Sequence, residues 1–120
     1  MTGRGIAAVA LLVTVGSVQV AVAQDTRISE RVQFLQLVQG KTLTRTLVSL
    51  RVTPDGTISG KGAAWDVTGQ WKWEDGYFCR DLNWGGDALG YNCQEVTARG
   101  NAIRFTSDRG TGDSAEFRLR

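Results

Sequence analysis

The 120-residue chain carries 14 basic and 12 acidic residues, a net charge of +2, and no histidine. A balance this close to neutral, with its basic residues scattered, gives no electrostatic footprint for nucleic acid or an anionic membrane. The missing histidine excludes His-based catalytic triads and His-ligated metal sites.

Residues 1–23 have the make-up of a secretory signal peptide: Arg4, an apolar run over 6–15, then Ala21-Val22-Ala23 as a small-x-small site. Cleavage is expected after Ala23, leaving 24–120 as a single β-rich domain in the periplasm or outside the cell. The apolar run is too short to span a bilayer and no later segment is apolar enough, so no membrane span is expected after cleavage. A domain of this size is marginal without a staple, and Cys79 and Cys93 can supply one in an oxidising compartment.

Residues 24–29 read as a short leader. Ser29 suits the N-cap of a helix over 30–39, with Glu30 in its first turn and Gly40 at its stop. Val32, Phe34, Leu35, Leu37 and Val38 give that helix a wide apolar stripe, which is expected to cover one end of a sheet. Residues 41–53, rich in Thr, Leu and Val, read as one long strand whose alternation slips near Leu47-Val48. Pro54-Asp55-Gly56 is a turn signal that pairs Val52 with Ile58 and sets Leu50 and Val48 opposite Gly60 and Gly62.

Around Trp65–Glu74 the rest of the chain is organised. Trp65, Val67, Gly69, Trp71 and Trp73 alternate strictly with Asp66, Thr68, Gln70, Lys72 and Glu74, so three tryptophans share one buried strand face. Asp75-Gly76 reads as a two-residue type I′ turn that pairs Trp73 with Phe78, Trp71 with Arg80 and Gly69 with Leu82. A hairpin centred on Gly86 then sets Cys79 opposite Cys93 on the outer face, a geometry suited to a cross-strand disulfide. Gly100-Asn101 pairs Ala98 with Ile103 and Val96 with Phe105, and after the loop 108–113 a last strand alternates Ala115, Phe117 and Leu119 inward. The expected fold is mainly β: a small antiparallel up-and-down barrel, or strongly curled sheet, of six or seven strands with one N-terminal helix.

The same register puts Arg80, Asn92 and Gln94 on the inner face. Two readings follow. Arg80 stacks on Trp71 with its donors taken by carbonyls, or Trp71, Trp73 and Trp84 wall a small pocket in which Arg80, Asn92 and Gln94 are the polar contacts. No carboxylates stand in a spacing for acid–base work, and the loop 108–113 has too few ligands for calcium. Gly110-Thr-Gly-Asp-Ser-Ala115 fits a dinucleotide-binding pattern but precedes a strand where that chemistry needs a helix. No catalytic residue, metal or cofactor is therefore expected. The chain reads as a monomeric, non-catalytic module for a small ligand or an envelope protein. The first alternative is a protein inhibitor or interaction module acting through the loops 85–87 and 108–113, and an enzyme is the second.

Four runs carry a family resemblance: Trp65-Asp-Val-Thr-Gly-Gln-Trp-Lys-Trp73, Asp75-Gly-Tyr-Phe-Cys-Arg80, Tyr91-Asn-Cys-Gln94 and Arg104-Phe-Thr-Ser-Asp-Arg-Gly110. Together they resemble a family of small exported alphaproteobacterial proteins without a defined activity, members of which often carry the name dihydrodipicolinate reductase. The resemblance implies export and assigns no catalytic residue. True enzymes of that name resemble a much longer two-domain cytosolic protein, with a nucleotide-binding fold and a His-rich catalytic segment. The residues here supply neither.

Overall fold

The computed structural model describes Gly3, Gly5, residues 7–17 and residues 24–120. Residues 7–17 form no helix or strand, and the expected cleavage point after Ala23 lies outside the described residues, as do Arg4 and Ile6. Among the described residues no helix is long and apolar enough to cross a membrane.

The elements in order are β1 (Thr26–Ile28), α1 (Arg31–Val38), β2 (Leu43–Arg45), β3 (Val48–Val52), β4 (Thr57–Gly62), β5 (Trp65–Glu74), β6 (Tyr77–Trp84), β7 (Asp87–Arg99), β8 (Ala102–Thr106), a single irregular helical turn (Ser107–Gly110) and β9 (Ser114–Leu119). From β2 onward each strand pairs antiparallel with the next, and β9 returns to β2 through Leu119 opposite Leu43. The result is a closed eight-stranded antiparallel barrel, an arrangement that leaves no free sheet edge around the ring. The extra strand β1 lies on β7, Ile28 opposite Val96, just beyond the point where β6 begins.

The expected count of six or seven strands is corrected to nine for two reasons. Residues 41–53 are two strands, β2 and β3, joined by a tight turn in which Leu47 takes a left-handed φ of 62°. That conformation is usually announced by Gly, Asn or Asp, and none is present there. The stretch read as a leader contains β1, so the helix is not the first element. The helix also starts later than expected: Glu30, not Ser29, is its N-cap, and Gln33 Oε1 accepts from the backbone N–H groups of Ser29 and Glu30 at 3.4 and 3.3 Å.

Where turn residues are explicit, the register is as expected. Val52 faces Ile58, Trp73 faces Phe78, Trp71 faces Arg80, Cys79 faces Cys93 and Val96 faces Phe105. The Cys79–Cys93 disulfide forms across β6 and β7.

The helix plugs one end of the barrel. Phe34 and Val38 are fully buried, and Phe34 sits among Trp71, Trp73, Phe78 and Phe105 with ring centroids 5.1–6.3 Å away. Polar contacts fix the plug to the nearby turns: Arg31 Nη2 donates to Pro54 O at 2.9 Å, and Trp73 Nε1 donates to Ser29 O at 3.1 Å. Burying an aromatic of this kind removes on the order of 150–250 Å2 from water, so the plug is a major part of the core. The turns 46–47, 63–64 and 85–86 and the loop 107–113 gather at the other end, where the described residues provide no such plug.

Candidate ligand-binding site

Unequal strand lengths open the barrel wall. β8 ends at Thr106, opposite Glu95, while β7 runs on to Asp87, so Asn92 and Gln94 have no strand beside them on that side. The 107–113 loop fills the gap. Asn92 holds it with two bonds: its Nδ2 donates to Asp108 Oδ1 at 2.8 Å, and the Asp108 N–H donates to Asn92 Oδ1 at 3.0 Å. Gln94 Nε2 donates to Ser107 Oγ at 3.1 Å. The loop turns sharply because Asp108 and Arg109 both adopt left-handed φ values, 53° and 54°.

Phe78 and Phe105, which touch Phe34, also line a partly open cavity of about 140 Å3 inside the barrel. Its wall is mostly aliphatic and aromatic, with Leu43, Leu50, Ile58, Leu82 and Phe117 among its members, and Arg80 and Gln94 are its polar side chains. The volume is close to that of engineered apolar cavities of roughly 150 Å3 that accept benzene. The pocket can therefore hold a body of that size, with polar recognition confined to two groups.

Arg80 is half-buried, and its Nη1 donates to Gly90 O at 2.7 Å. Gly90 has a φ of 82° and lies where the β6–β7 register shifts, with Leu89 as the extra residue. The bulge thereby places a carbonyl within reach of the guanidinium. Burial pulls the Arg80 guanidinium below its ordinary value, and the neighbouring Asp81 charge opposes that shift. The group stays protonated at any physiological pH. Among the described residues no carboxylate forms an ion pair with it.

The expected constellation is brought together only in part. Arg80 and Gln94 line the cavity, whereas Asn92 is engaged with Asp108. Trp71 is buried in the floor beside Phe34, its Nε1 donating to Thr53 O at 2.9 Å, and does not line the cavity. Arg80 does not stack on Trp71; Arg31 takes that place, 5.4 Å from the ring centroid. Trp73 packs on Phe34, and Trp84 lies across Gly62 at the rim, where a Cβ on Gly62 would fall 1.9 Å from the indole. Space left by that glycine is filled by Trp84 and is not the pocket. The aliphatic wall carries no sequence mark of a site, because such residues read simply as core; the small Ala115 on the inner face of β9 is its one hint.

Glu74, Cys79 and Cys93 cluster closely, but both sulfurs are bonded to each other, so the group offers a single carboxylate and no metal set. Compared with protein-family models, curated proteins and solved structures, the chain matches none of them.

Proposed function

We propose that the domain is a non-catalytic binding module of the periplasm or cell exterior that holds a small, mainly apolar ligand inside its barrel. The cavity carries this reading: a pocket of about 140 Å3 whose wall is apolar apart from Arg80 and Gln94. The disulfide suits an oxidising compartment, and a chain with no histidine and both cysteines bonded to each other lacks the usual nucleophile–base pairs.

Native mass spectrometry of protein recovered gently from its host tests this reading. A bound mass of small-molecule size, lost on denaturation, is expected. An apo mass together with no cavity response to benzene, followed by NMR, would overturn it.

Trp65 supports a second reading. It is 57% exposed at the rim beside Gly85, which favours an interaction module acting through the loops 85–87 and 108–113. Crosslinking from Trp65-side positions in whole cells would detect its partner.

A further inference from the structure

We propose that the ligand is a small monocarboxylic acid, its carboxylate held by Arg80 and its apolar body lying against Leu50, Ile58, Phe105 and Phe117. This rests on the ligand-binding reading above and narrows it to one chemical class.

The first argument is charge. Arg80 brings a permanent positive charge to a wall that is otherwise uncharged, and no carboxylate among the described residues pairs with it. Its chain neighbour Asp81 has the opposite parity on β6 and so belongs to the outer face. A half-buried charge with no carboxylate in contact is costly to fold around, and a carboxylate supplied from outside relieves that cost.

The second argument is the donor count. A guanidinium has five N–H donors, and Gly90 O takes one of them at 2.7 Å. No buried side-chain nitrogen is left without a partner among the described residues, so the remaining Arg80 donors are open to solvent or to whatever occupies the pocket. The Gly90 bond fixes the position of the fork and leaves donors for a two-point contact with a carboxylate.

The third argument is what the wall lacks. Its other polar side chain is the Gln94 amide, whose nitrogen already donates to Ser107. No acidic side chain lines the pocket, so a cation has no counter-charge and a polyol has few acceptors. Arg45 lies 5.7 Å from the ring centroid of Phe117, a lining residue, and adds a second positive charge near the same wall.

A shape-matched pair of probes tests the class: benzoate and its uncharged counterpart benzamide, titrated at pH 7 into the full domain and followed by NMR. Benzoate is expected to bind at least tenfold more tightly, shifting resonances of Phe78, Arg80 and Phe117. Arg80→Met, which keeps a straight side chain, is expected to abolish the preference, and Arg80→Lys to keep part of it. Equal affinities for the two probes in the wild-type protein would overturn the acid while leaving the ligand site standing. A preference that persists in Arg80→Met would also overturn it. No cavity shifts with benzoate, benzamide or benzene would instead remove the ligand-binding reading itself. The wild-type comparison decides the matter even if a variant fails to fold.

Discussion

Phe34 of α1 and Trp71 of β5 meet edge to face, with ring centroids 5.3 Å apart and planes inclined at 74°. This is a favoured aromatic geometry, and it joins the helix to the strand that carries three tryptophans. Phe34 also touches Trp73, Phe78 and Phe105 and is fully buried. Phe34→Ala should lower stability by about 3–5 kcal/mol, because the rigid rings around it cannot collapse into the space. Urea unfolding followed by tryptophan fluorescence measures the change, and a loss below about 1 kcal/mol would show that the helix is not a structural plug.

Gly62 makes a sharper prediction about the rim. A Cβ at this position would sit 1.9 Å from Cζ2 of Trp84, an atom of a rigid ring. Gly62→Ala should displace the indole and cost roughly 1–3 kcal/mol, as overpacking does elsewhere. A changed near-UV circular dichroism spectrum with the far-UV spectrum retained is the expected signature.

The barrel's ring order was legible wherever the chain announced its turns. Pro54-Asp55-Gly56, Asp75-Gly76 and Gly100-Asn101 each fix a hairpin register, and alternation around them identifies the inner face. The split between β2 and β3 showed only as the slip near Leu47-Val48, because Leu47 takes its left-handed φ of 62° without the Gly, Asn or Asp that usually marks such a turn. The pairing of β2 with β9 was not legible, since it depends on closure of the whole ring and on no local signal. At the site, the inward parity of Arg80, Asn92 and Gln94 followed from the hairpins. The early end of β8 was marked by the loop 108–113, but nothing in the pattern showed that the loop folds back to take Asn92 through Asp108.

Asn92 tethers the loop that fills the wall gap. Asn92→Ala removes both bonds to Asp108, each worth about 1 kcal/mol, and frees two residues held in left-handed backbone. Hydrogen exchange of the 107–112 amides should quicken roughly tenfold or more, while the β5–β6 amides keep their protection. Unchanged exchange in the loop would place its stability elsewhere.

The disulfide closes a short loop, with a sequence separation of 14 residues. Cys79→Ala combined with Cys93→Ala should cost about 3 kcal/mol on the chain-entropy account, and Tm should fall by roughly 10–25 °C. Reduction of the wild-type protein should reproduce that loss.

Acid stability has one identified contributor. Asp55 accepts hydrogen bonds from the Thr53 hydroxyl and from the Thr57 N–H, the latter at 3.0 Å, and these hold its carboxyl below the ordinary 3.8. Because the folded value is depressed, the stabilisation is present above the unfolded value and is lost as pH falls through the folded one. Asp55→Asn should therefore lose stability less steeply than wild type below pH 3.8, while above about pH 5 the two curves run parallel. With no histidine to titrate, wild-type stability should be nearly flat from about pH 5 to 8. Thermal unfolding at stepped pH gives both curves.

The seam between Leu43 and Leu119 also sets an order in time. Hairpins such as β3–β4 and β5–β6 join residues close in sequence and can form early, whereas the seam must wait for nearly the whole chain and bears the largest loop-closure entropy. Until it forms, β2 and β9 are exposed edges, open to pairing with another copy. The Cys79–Cys93 bridge, lying within a single hairpin, is free of that wait. Oxidation can therefore align β6 with β7 before the ring closes, shortening the interval in which the newly made chain is vulnerable.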